Sequence, residues 1–478
     1  MIELDLTTAT DVVKGNLVGG ADSSVRFRNV SIDSRTLNAG ELFFAIRGPH
    51  NDGHQYVREA FERRTAGAVV EARRRTELSD LEPLIVVTDT SLALRQLASS
   101  YRAQVRARYV GVTGSTGKTT VKEMTNTLLH SAGKPSYMAP GNFNNLFGLP
   151  LSLLRMPPNT EIGVFELGIS TPGEMAQLAP ILKPNVAIIT NVSATHLESL
   201  QSVERVREEK LEIISHIDED GAVVIPADDS ELLSAAMECG KRLITYSPLV
   251  ESNADVHPTA IDLDRTTGHA GFTYNGRSVC LGFFGIHQVA NSMCSLAACR
   301  ALGVDVDPRA LAGFSSGAGA WRGESEIIRG VTLILDCYNA SPSSMRSGLE
   351  TFMSLNSGAG TRRIAVVGDM LELGASAQVE HEKIGGYLAM RFTADSESGE
   401  FPLAALIAVG DLGLHIASTL EIAVGRRGEV VCAHVATPAE AGERLLEITR
   451  PGDLVYFKAS RGINLEKAVA VFKEGSGS

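Results

Sequence analysis

An apolar segment, RYVGVTG, runs directly into the sequence STGKTT and then into residues with helical periodicity. Its glycines allow backbone N–H groups to converge on an anion, and the start of the following helix adds partial positive charge. A lysine and a threonine at this place can reach nucleotide phosphates and a magnesium ion. We therefore predict a nucleotide-binding phosphate loop, formed by Gly114, Ser115, Thr116, Gly117, Lys118, Thr119 and Thr120.

This loop departs from the strict G-x-x-x-x-G-K-[ST] pattern, because Val112 stands where that pattern begins with glycine. The alternative is a turn that only joins a strand to a helix. Such a turn would rarely place Gly-Lys-Thr at its end, and we therefore keep the prediction of nucleotide binding.

Apolar strands alternate with helical segments after this loop, which is typical of a largely parallel α/β sheet. A second run of the same alternation lies nearer the C-terminus, and it predicts a second doubly wound sheet. The predicted strands are RYVGVTG, EIGVFELG, NVAIITNV and GAVVIP, followed by TLILDCY, RRIAVVGDM, LAALIAVGD, EVVCAHV and GDLVYFKAS.

The length of 478 residues exceeds what a single hydrophobic core usually supports. We predict an α/β protein of three domains. Residues 1–106 would form a small α/β domain, residues 107–315 the central domain with the phosphate loop and a parallel sheet, and residues 316–478 a C-terminal doubly wound domain.

Composition excludes several classes of protein. The net charge of -12 argues against a large nucleic-acid footprint, although a local nest of amides can still bind phosphate. We find neither an apolar run long enough to cross a bilayer nor the basic-then-apolar order of a secretory signal, so we expect a cytoplasmic protein without membrane insertion. The six cysteines form no C-x-x-C pair, and we interpret them as free thiols.

Polar residues follow the predicted strands of the central domain. Glu166 ends one strand, Asn191 follows the next, and His196 lies a few residues further on. Ligands of open α/β sheets bind at the carboxyl ends of the strands, and magnesium prefers oxygen ligands beside nucleotide phosphates. Beside a phosphate loop we therefore predict Glu166 as a magnesium ligand rather than a solvated charge. His196 alone is weak evidence.

A lysine interrupts an otherwise apolar helical face. Lys210 follows Val206 by four residues and precedes Ile213 by three, so all three share one side of a predicted helix. A lysine on that side faces the interior, which is costly unless the amine is paired, neutralised or modified. The alternative, in which the side chain reaches past its neighbours to solvent, stays open on this evidence.

With these residues in hand, the chain resembles the Mur ligases, and within them the members that add a dipeptide. The resemblance covers nearly the whole chain, and the ordered succession of motifs carries it. The motifs are SIDSR with GELFFAIRG, TGSTGKTT, GNFNNLFGLPLSLL, FELG, ITNVSATHLE, EEKLEI, GIHQVANSMCSLAA, DCYNASPSSM, VVGDMLELG and KASRGINLEKAV.

The resemblance implies a central P-loop-type domain, a Rossmann-like C-terminal domain and a set of site residues. Lys118, His196 and Lys210 would be catalytic, and magnesium would be held by Thr119, Glu166, His196 and a carbamylated Lys210. The nucleotide would be bound by the phosphate loop and by His287, Asn291, Arg322 and Asp336. Substrate binding would involve Ser34, Arg35, Asn142, Asn144, Lys458, Ser460 and Arg461.

The resemblance also implies a reaction. ATP with Mg²⁺ would convert the carboxylate of a UDP-linked muramyl tripeptide into an acyl phosphate, which the amine of D-alanyl-D-alanine would capture. We expect a monomer. The alternatives are a related amide ligase with another amino acceptor, a phosphate-loop kinase, and a binding module that has lost catalysis.

Three positions depart from the family pattern. Pro226 stands where asparagine is usual, Ala459 replaces a glycine in the KASR segment, and Ser341 replaces an asparagine in DCYNASP. Pro226 weakens the case for a nucleotide contact from the side chain at that position. Ala459 leaves open whether the backbone of residues 458–461 has the conformation usual in the family. Asn142, Asn144 and Asn145 could equally be turn formers.

Overall fold

The computed structural model describes residues 1–19, 25–48, 51–314, 321–355, 361–395, 403–424 and 430–475. Within these ranges, each main sheet draws its strands from one of the three predicted segments. The predicted α/β class with several domains is confirmed, whereas the domain boundaries stay predictions. No helix within the described ranges is long and apolar enough to cross a membrane.

The N-terminal part contains a small antiparallel pair, β1 with β3, and a five-stranded sheet in the order β2-β7-β6-β5-β4. Its strands are β1 (Glu3–Asp5), β2 (Asn16–Val18), β3 (Arg26–Arg28), β4 (Val30–Ser31), β5 (Leu42–Phe44), β6 (Gly67–Glu71) and β7 (Leu84–Val87). Its helices are α1 (Leu6–Val12), α2 (Val57–Glu62) and α3 (Thr90–Gln104).

The central part is built on a six-stranded parallel sheet in the order β13-β12-β11-β8-β10-β9. These strands are β8 (Arg108–Thr113), β9 (Ser136–Met138), β10 (Ile162–Glu166), β11 (Val186–Ile189), β12 (Ala222–Pro226) and β13 (Arg242–Tyr246). A separate antiparallel sheet follows, with β14 (Ala260–Leu263), β15 (His269–Tyr274) and β16 (Arg277–Phe284).

Helices cover both faces of the central sheet, as the alternating sequence pattern predicts. They are α4 (Lys118–Ser131), α5 (Gly148–Arg155), α6 (Glu174–Leu182), α7 (Leu197–Leu200), α8 (Val203–Leu211), α9 (Ser230–Glu238) and α10 (His287–Ala301). The helix predicted through Lys210 ends at Leu211, and a 3₁₀ segment continues it over Glu212–His216. The predicted apolar face persists through this change, since Val206, Ile213 and Ile214 are buried.

The C-terminal part has a second six-stranded sheet, in the order β17-β18-β22-β19-β20-β21. All neighbours are parallel except β17 with β18. The strands are β17 (Glu324–Ile328), β18 (Val331–Leu335), β19 (Arg363–Gly368), β20 (Ala405–Val409), β21 (Val431–Val435) and β22 (Leu454–Lys458). The helices are α11 (Pro342–Met353), α12 (Ala377–Asp395), α13 (Gly413–Val424), α14 (Pro438–Ile448) and α15 (Glu466–Glu474).

In the central sheet, β9 and β10 lie on one side of β8, and β11, β12 and β13 lie on the other side. The direction in which strands are added therefore reverses at β8, which lies between β10 and β11. Their registers align the strand ends, because Glu166 is paired with Val112, and Ile189 with Thr113. Ligands of open parallel sheets bind outside such a reversal, at the carboxyl ends of the strands. The fold therefore brings the phosphate loop, Glu166 and the residues after Ile189 to one edge.

Candidate active site

The phosphate loop requires glycine at two positions. Gly114 has φ of +142°, and a Cβ there would lie 1.9 Å from Thr190 Oγ1. Gly117 has φ of +79°, and a Cβ there would lie 2.4 Å from Asn291 Oδ1. Any side chain at either place would therefore be both strained and too close to its neighbour. The backbone is shaped as an anion cradle that a Cβ would fill.

Residues from neighbouring strands hold this loop from behind. Asn191 accepts the Thr116 N–H at 3.0 Å through Oδ1 and donates to Thr116 Oγ1 at 2.9 Å through Nδ2. Thr190 Oγ1 donates to the Thr116 carbonyl at 2.5 Å, and the Tyr246 hydroxyl donates to the carbonyl of Thr190. Asn191 was predicted only as a polar residue at a strand end; Thr190 lies in the motif ITNVSATHLE but was given no role, and Tyr246 belongs to no recognised motif.

Lys118 begins α4 and folds over its own loop. Its Nζ donates to the carbonyls of Gly114 at 2.7 Å and Ser115 at 3.3 Å. Burial lowers the pKa of the Lys118 amine, while the charge of Glu166 opposes that shift. The ammonium is thus placed at the mouth of the loop, where a phosphate oxygen can replace the carbonyls as its acceptor.

Glu166 is buried, with 2% of its surface exposed. Its Oε2 accepts a hydrogen bond from Thr119 Oγ1 at 2.9 Å, and its Oε1 accepts one from Asn144 Nδ2 at 2.8 Å. The Nζ atom of Lys122 lies 4.0 Å from Oε2. A carboxylate and a hydroxyl side by side at a phosphate loop are the oxygen donors that magnesium uses beside nucleotide phosphates.

The predicted inward orientation of Lys210 is confirmed, because the residue is 1% exposed. Its amine makes no hydrogen bond or ion pair within the described ranges. Burial lowers the pKa of Lys210 well below its ordinary value, and the charge of Lys118 lowers it further. The charge of Glu209 opposes these shifts, but among the described residues no carboxylate forms an ion pair with this buried amine.

His196 lies at the boundary between the central and C-terminal parts. Glu372 Oε2 approaches His196 Nδ1 to 2.6 Å, and the N–H of Glu198 donates to the Glu372 carbonyl at 3.1 Å. The close approach of the His196 ring lowers the pKa of the Glu372 carboxyl. Sequence analysis placed Glu372 in the GDMLELG motif but assigned it no role.

The N-terminal part of α10 carries His287 and Asn291, two of the predicted nucleotide-binding residues. Asn291 donates to Gln288 Oε1 at 2.7 Å and packs against Gly117. His287 Nε2 lies 3.0 Å from Gln288 Nε2, and burial lowers the pKa of His287 to about 4. The charge of Asp336 opposes that shift, so His287 faces the C-terminal part. His287 is a neutral ring at neutral pH.

The C-terminal residues form a network at the end of β18 and β22. Lys458 Nζ donates to Asp336 Oδ2 at 2.8 Å, and the Tyr456 hydroxyl donates to the same oxygen at 2.8 Å. The Arg322 guanidinium lies 3.7 Å from the ring centroid of Tyr338. The positive charge of Arg322 also lowers the pKa of Lys118, so the two cations act on each other.

Several predicted residues lie outside this cluster. Ser34 Oγ donates to Glu59 at 2.8 Å, while the exposed Arg35 pairs with Asp33. Asn142 is exposed in the loop before α5. In the C-terminal part, the exposed Arg461 pairs with Glu466, whereas Ser460 is buried and supports the loop after β19 by accepting the Leu371 N–H.

The departures from the family pattern have local structural explanations in two cases. Ser341 caps α11, with its hydroxyl accepting the Ser344 N–H at 3.4 Å. Ala459 is fully buried against Gly368, where an added Cβ would meet the Ala459 methyl group at 2.8 Å. Pro226 ends β12 in register with Tyr246, and no described contact gives its side chain a role at the site.

No group of three or more His, Cys, Asp or Glu side chains in the described part of the chain is arranged to hold a metal. That absence is compatible with magnesium, which is commonly bound by one or two carboxylates together with substrate phosphates. The predicted ligand His196 lies against Glu372, whereas the Glu166 carboxylate and the Thr119 hydroxyl are the donors that lie together. They fit a nucleotide-bound cation better than a preformed metal cage.

Three family descriptions match the chain in succession. They are "Mur ligase family, catalytic domain" over residues 26–102, "Mur ligase middle domain" over 112–299, and "Mur ligase, glutamate ligase domain" over 321–461. The chain is also 34% identical over 474 residues to the UDP-N-acetylmuramoyl-tripeptide--D-alanyl-D-alanine ligase of Bacillus subtilis, with 98% of each chain covered.

Solved structures show the same relationship in three dimensions. MurF from Acinetobacter baumannii superimposes with a TM-score of 0.83, at 28% identity and 99% coverage of both chains. MurF ligase from Thermotoga maritima, solved in complex with ADP, superimposes with a TM-score of 0.79 at 27% identity, covering 94% of this chain and 97% of that one.

Proposed function

The chain belongs to the Mur ligase family, and on that premise we propose that it joins D-alanyl-D-alanine to UDP-N-acetylmuramoyl tripeptide. The reaction uses ATP and releases ADP and phosphate, as in an ATP-dependent ligase. One observation carries the assignment of the chemistry. Thr119 and Glu166 are hydrogen bonded at 2.9 Å beside a glycine cradle, at the edge where the central sheet reverses.

Two group transfers make up the reaction. An oxygen of the tripeptide's terminal carboxylate attacks the γ-phosphorus, the bond to the β,γ-bridging oxygen breaks, and ADP leaves. The neutral amine of the dipeptide then attacks the carbonyl carbon of the acyl phosphate. Phosphate leaves with the bond electrons, and the new amide nitrogen loses one proton. Positioning and charge neutralisation account for most of the catalysis in such transfers.

Lys118 supplies the protein's own positive charge for the first transfer. Its ammonium sits at the mouth of the glycine cradle, next to the carbonyls of Gly114 and Ser115. Charge spreads over the oxygens of the transferring phosphoryl group, and a fixed cation stabilises that state more than the ground state. Arg322 adds a second cation from the C-terminal side.

Thr119, Glu166 and His196 are the residues that would hold Mg²⁺ with the nucleotide. The donor set fits, since a buried carboxylate and a hydroxyl lie together beside the cradle. When bound, the cation supplies further neutralisation of the phosphate charge.

Lys210 fits the carbamylated lysine that the family resemblance implies. A neutral amine is needed to attack CO₂, and burial holds the pKa of Lys210 well below its ordinary value. The nitrogen forms a bond to the carbon of CO₂ and releases one proton, which leaves an anionic carbamate. That anion would lie near Lys118 and would give a second cation an oxygen ligand.

The remaining residues fall into a nucleoside side and a substrate side. We propose that His287 and Asn291 bind the adenine and that Asp336 binds the ribose. Asp336 is held in place by Lys458 and Tyr456. The UDP-linked substrate would contact Ser34 and Arg35 at the N-terminal part, and its peptide would reach Asn142, Asn144, Lys458, Ser460 and Arg461. A monomeric state and a cytoplasmic location stay predictions.

The decisive assay follows phosphate release from ATP and Mg²⁺ with UDP-N-acetylmuramoyl tripeptide, in the presence and absence of D-alanyl-D-alanine. We expect release and amide formation only when the dipeptide is present, in equal amounts. Release that requires a different amine would assign another ligase of the family. Phosphate transfer that needs no amine would contradict the ligase chemistry and favour the kinase alternative.

A further inference from the structure

Lys122 lies next to the proposed metal carboxylate but has no role in the reaction described above. It follows Thr119 by three residues on α4, so the two side chains share one face of the helix. Both point at Glu166, with Thr119 Oγ1 at 2.9 Å and Lys122 Nζ at 4.0 Å from the same oxygen. The helix that carries the phosphate loop therefore presents a hydroxyl and an ammonium to one buried carboxylate.

The other partner of Lys122 is the loop before α5. The Nζ atom donates to the Gly141 carbonyl at 2.5 Å, and the Lys122 side chain is 1% exposed. A buried ammonium is costly unless its charge and its hydrogen bonds are satisfied, and here one carboxylate and one carbonyl do so. Lys122 differs in this respect from Lys210, whose amine has no such partners within the described ranges.

A second contact ties the same loop to the same carboxylate. Asn144 Nδ2 donates to Glu166 Oε1 at 2.8 Å, and the Asn144 carbonyl accepts the Gly168 N–H at 2.8 Å just after β10. Segment 139–147 is therefore joined to Glu166 on both sides, by Asn144 directly and by Lys122 through Gly141. A shift of the carboxylate toward a cation would change both connections.

We propose that Lys122 is a positioning residue that couples segment 139–147 to the Glu166 carboxylate. Through this link, binding of a divalent cation with nucleotide at Glu166 and binding of the anionic acyl substrate at the segment strengthen each other. Lys122 is buried, so it acts on both ligands through the Glu166 carboxylate and the segment rather than by direct contact. The inference rests on the proposed function for the identity of the two ligands.

The first test is a coupling measurement by titration calorimetry. The Kd of ADP with Mn²⁺ is measured with and without UDP-N-acetylmuramoyl tripeptide, in wild type and in Lys122→Met. Coupling between sites is commonly about 5- to 150-fold, and we expect the wild-type factor in that range and the variant factor below about twofold. Met124→Leu, a buried and nearly volume-conserving change on the same helix, is the control and should retain the wild-type factor.

The second test needs no ligand. Hydrogen–deuterium exchange of peptides covering 139–147 should be faster in ligand-free Lys122→Met than in wild type, and unchanged in Met124→Leu. If Lys122→Met does not fold, Lys122→Gln carries both tests, since it is smaller and retains a polar end.

The outcomes separate the two proposals. Wild-type protein that binds neither ligand would overturn the proposed function. Wild-type protein that binds both without coupling, or a Lys122 variant that keeps the coupling factor and the exchange rate, would overturn the role of Lys122 alone.

Discussion

Glu372 Oε2 lies 2.6 Å from His196 Nδ1, and this contact joins the C-terminal part to the loop after β11. Both residues have left-handed backbone, with φ of +64° for Glu372 and +55° for His196. Such conformations cost free energy in non-glycine residues and persist where surrounding contacts hold them. The two loops therefore meet in fixed and mildly strained shapes at the place where the ligase site must be assembled from two domains.

Glu372→Gln should weaken this assembly without unfolding the protein. Because the Glu372 side chain is 60% exposed, we expect little change in the free energy of unfolding. We expect kcat to fall by about 3- to 10-fold, the effect of losing one partly exposed charged contact of about 1 kcal/mol. Glu447→Gln, which removes a carboxylate paired with Arg444 on the surface, is the control. Equal kcat in the two variants would contradict a role for Glu372.

Lys118→Met should remove the cation that faces the γ-phosphate. Loss of one fixed charge-stabilising group commonly costs about 100- to 1,000-fold in kcat, and we expect a decrease in that range. Lys134→Met serves as the control, since Lys134 Nζ lies 3.5 Å from Glu161 on the surface. Steady-state release of ADP measures both. A Lys118→Met enzyme within threefold of wild type would exclude this residue from phosphoryl transfer.

Lys210→Met should have opposite effects on ligase activity and on the free energy of unfolding. Ligase activity should be lost, whereas the ligand-free variant should be more stable than wild type by ~1–3 kcal/mol, because an unpaired buried amine is replaced by an apolar chain. Urea denaturation in bicarbonate-free buffer measures the difference. A variant that is both active and less stable would contradict the assignment of Lys210.

The stability difference at Lys210 should depend on pH. The pKa of Lys210 is lowered by burial in the folded state, so the unfolded chain binds the extra proton up to the ordinary value of 10.5. Wild-type stability therefore rises with pH in that window, and the gap between wild type and Lys210→Met should narrow as pH approaches that value. With ¹³C-labelled bicarbonate, wild type alone should show a carbamate resonance.

His287 should make the protein acid-sensitive. Its pKa falls from 6.5 to about 4 on folding, because burial disfavours the charged ring. Between these values the unfolded state binds more protons, so stability is lost as pH falls, by at most ~1.4 kcal/mol per pH unit. His287→Gln should flatten this dependence, and His434→Gln, at an exposed position, should not. Identical slopes in wild type and His287→Gln would contradict the buried neutral ring.

Much of the fold could be predicted from the sequence because its signals are local. The strands that end at Thr113, Glu166 and Ile189 are short apolar runs, and their boundaries were predicted within a few residues. Helical spacing placed Lys210 on the apolar face and left open whether its amine reached solvent; the structure shows the residue buried, one position before the helix ends. The phosphate-loop pattern predicted that Gly114 and Gly117 shape the backbone of the loop. The structure adds the reason that no side chain fits there, because Thr190 lies against Gly114 and Asn291 against Gly117.

Other features depend on contacts between distant segments and left no local signal. The antiparallel strands β14 to β16 were not predicted, since their sequences mix polar and apolar residues at a partly exposed sheet. The connection from Tyr246 to the phosphate loop joins Tyr246 to Thr190, 56 positions away, and Thr190 to Thr116, 74 positions away. Glu372 lies in the motif VVGDMLELG, and Lys122 lies two residues after TGSTGKTT, but only packing shows which ring or carboxylate each of them meets.

We propose that the tripeptide carboxylate is activated as an acyl phosphate at the loop of Lys118. Tripeptide labelled with ¹⁸O in its terminal carboxylate tests this most directly, by mass spectrometry of the phosphate released with ATP, Mg²⁺ and D-alanyl-D-alanine. One ¹⁸O atom should appear in each phosphate formed, because the attacking carboxylate oxygen leaves with the phosphoryl group. Phosphate free of ¹⁸O, released with amide formation, would contradict the account.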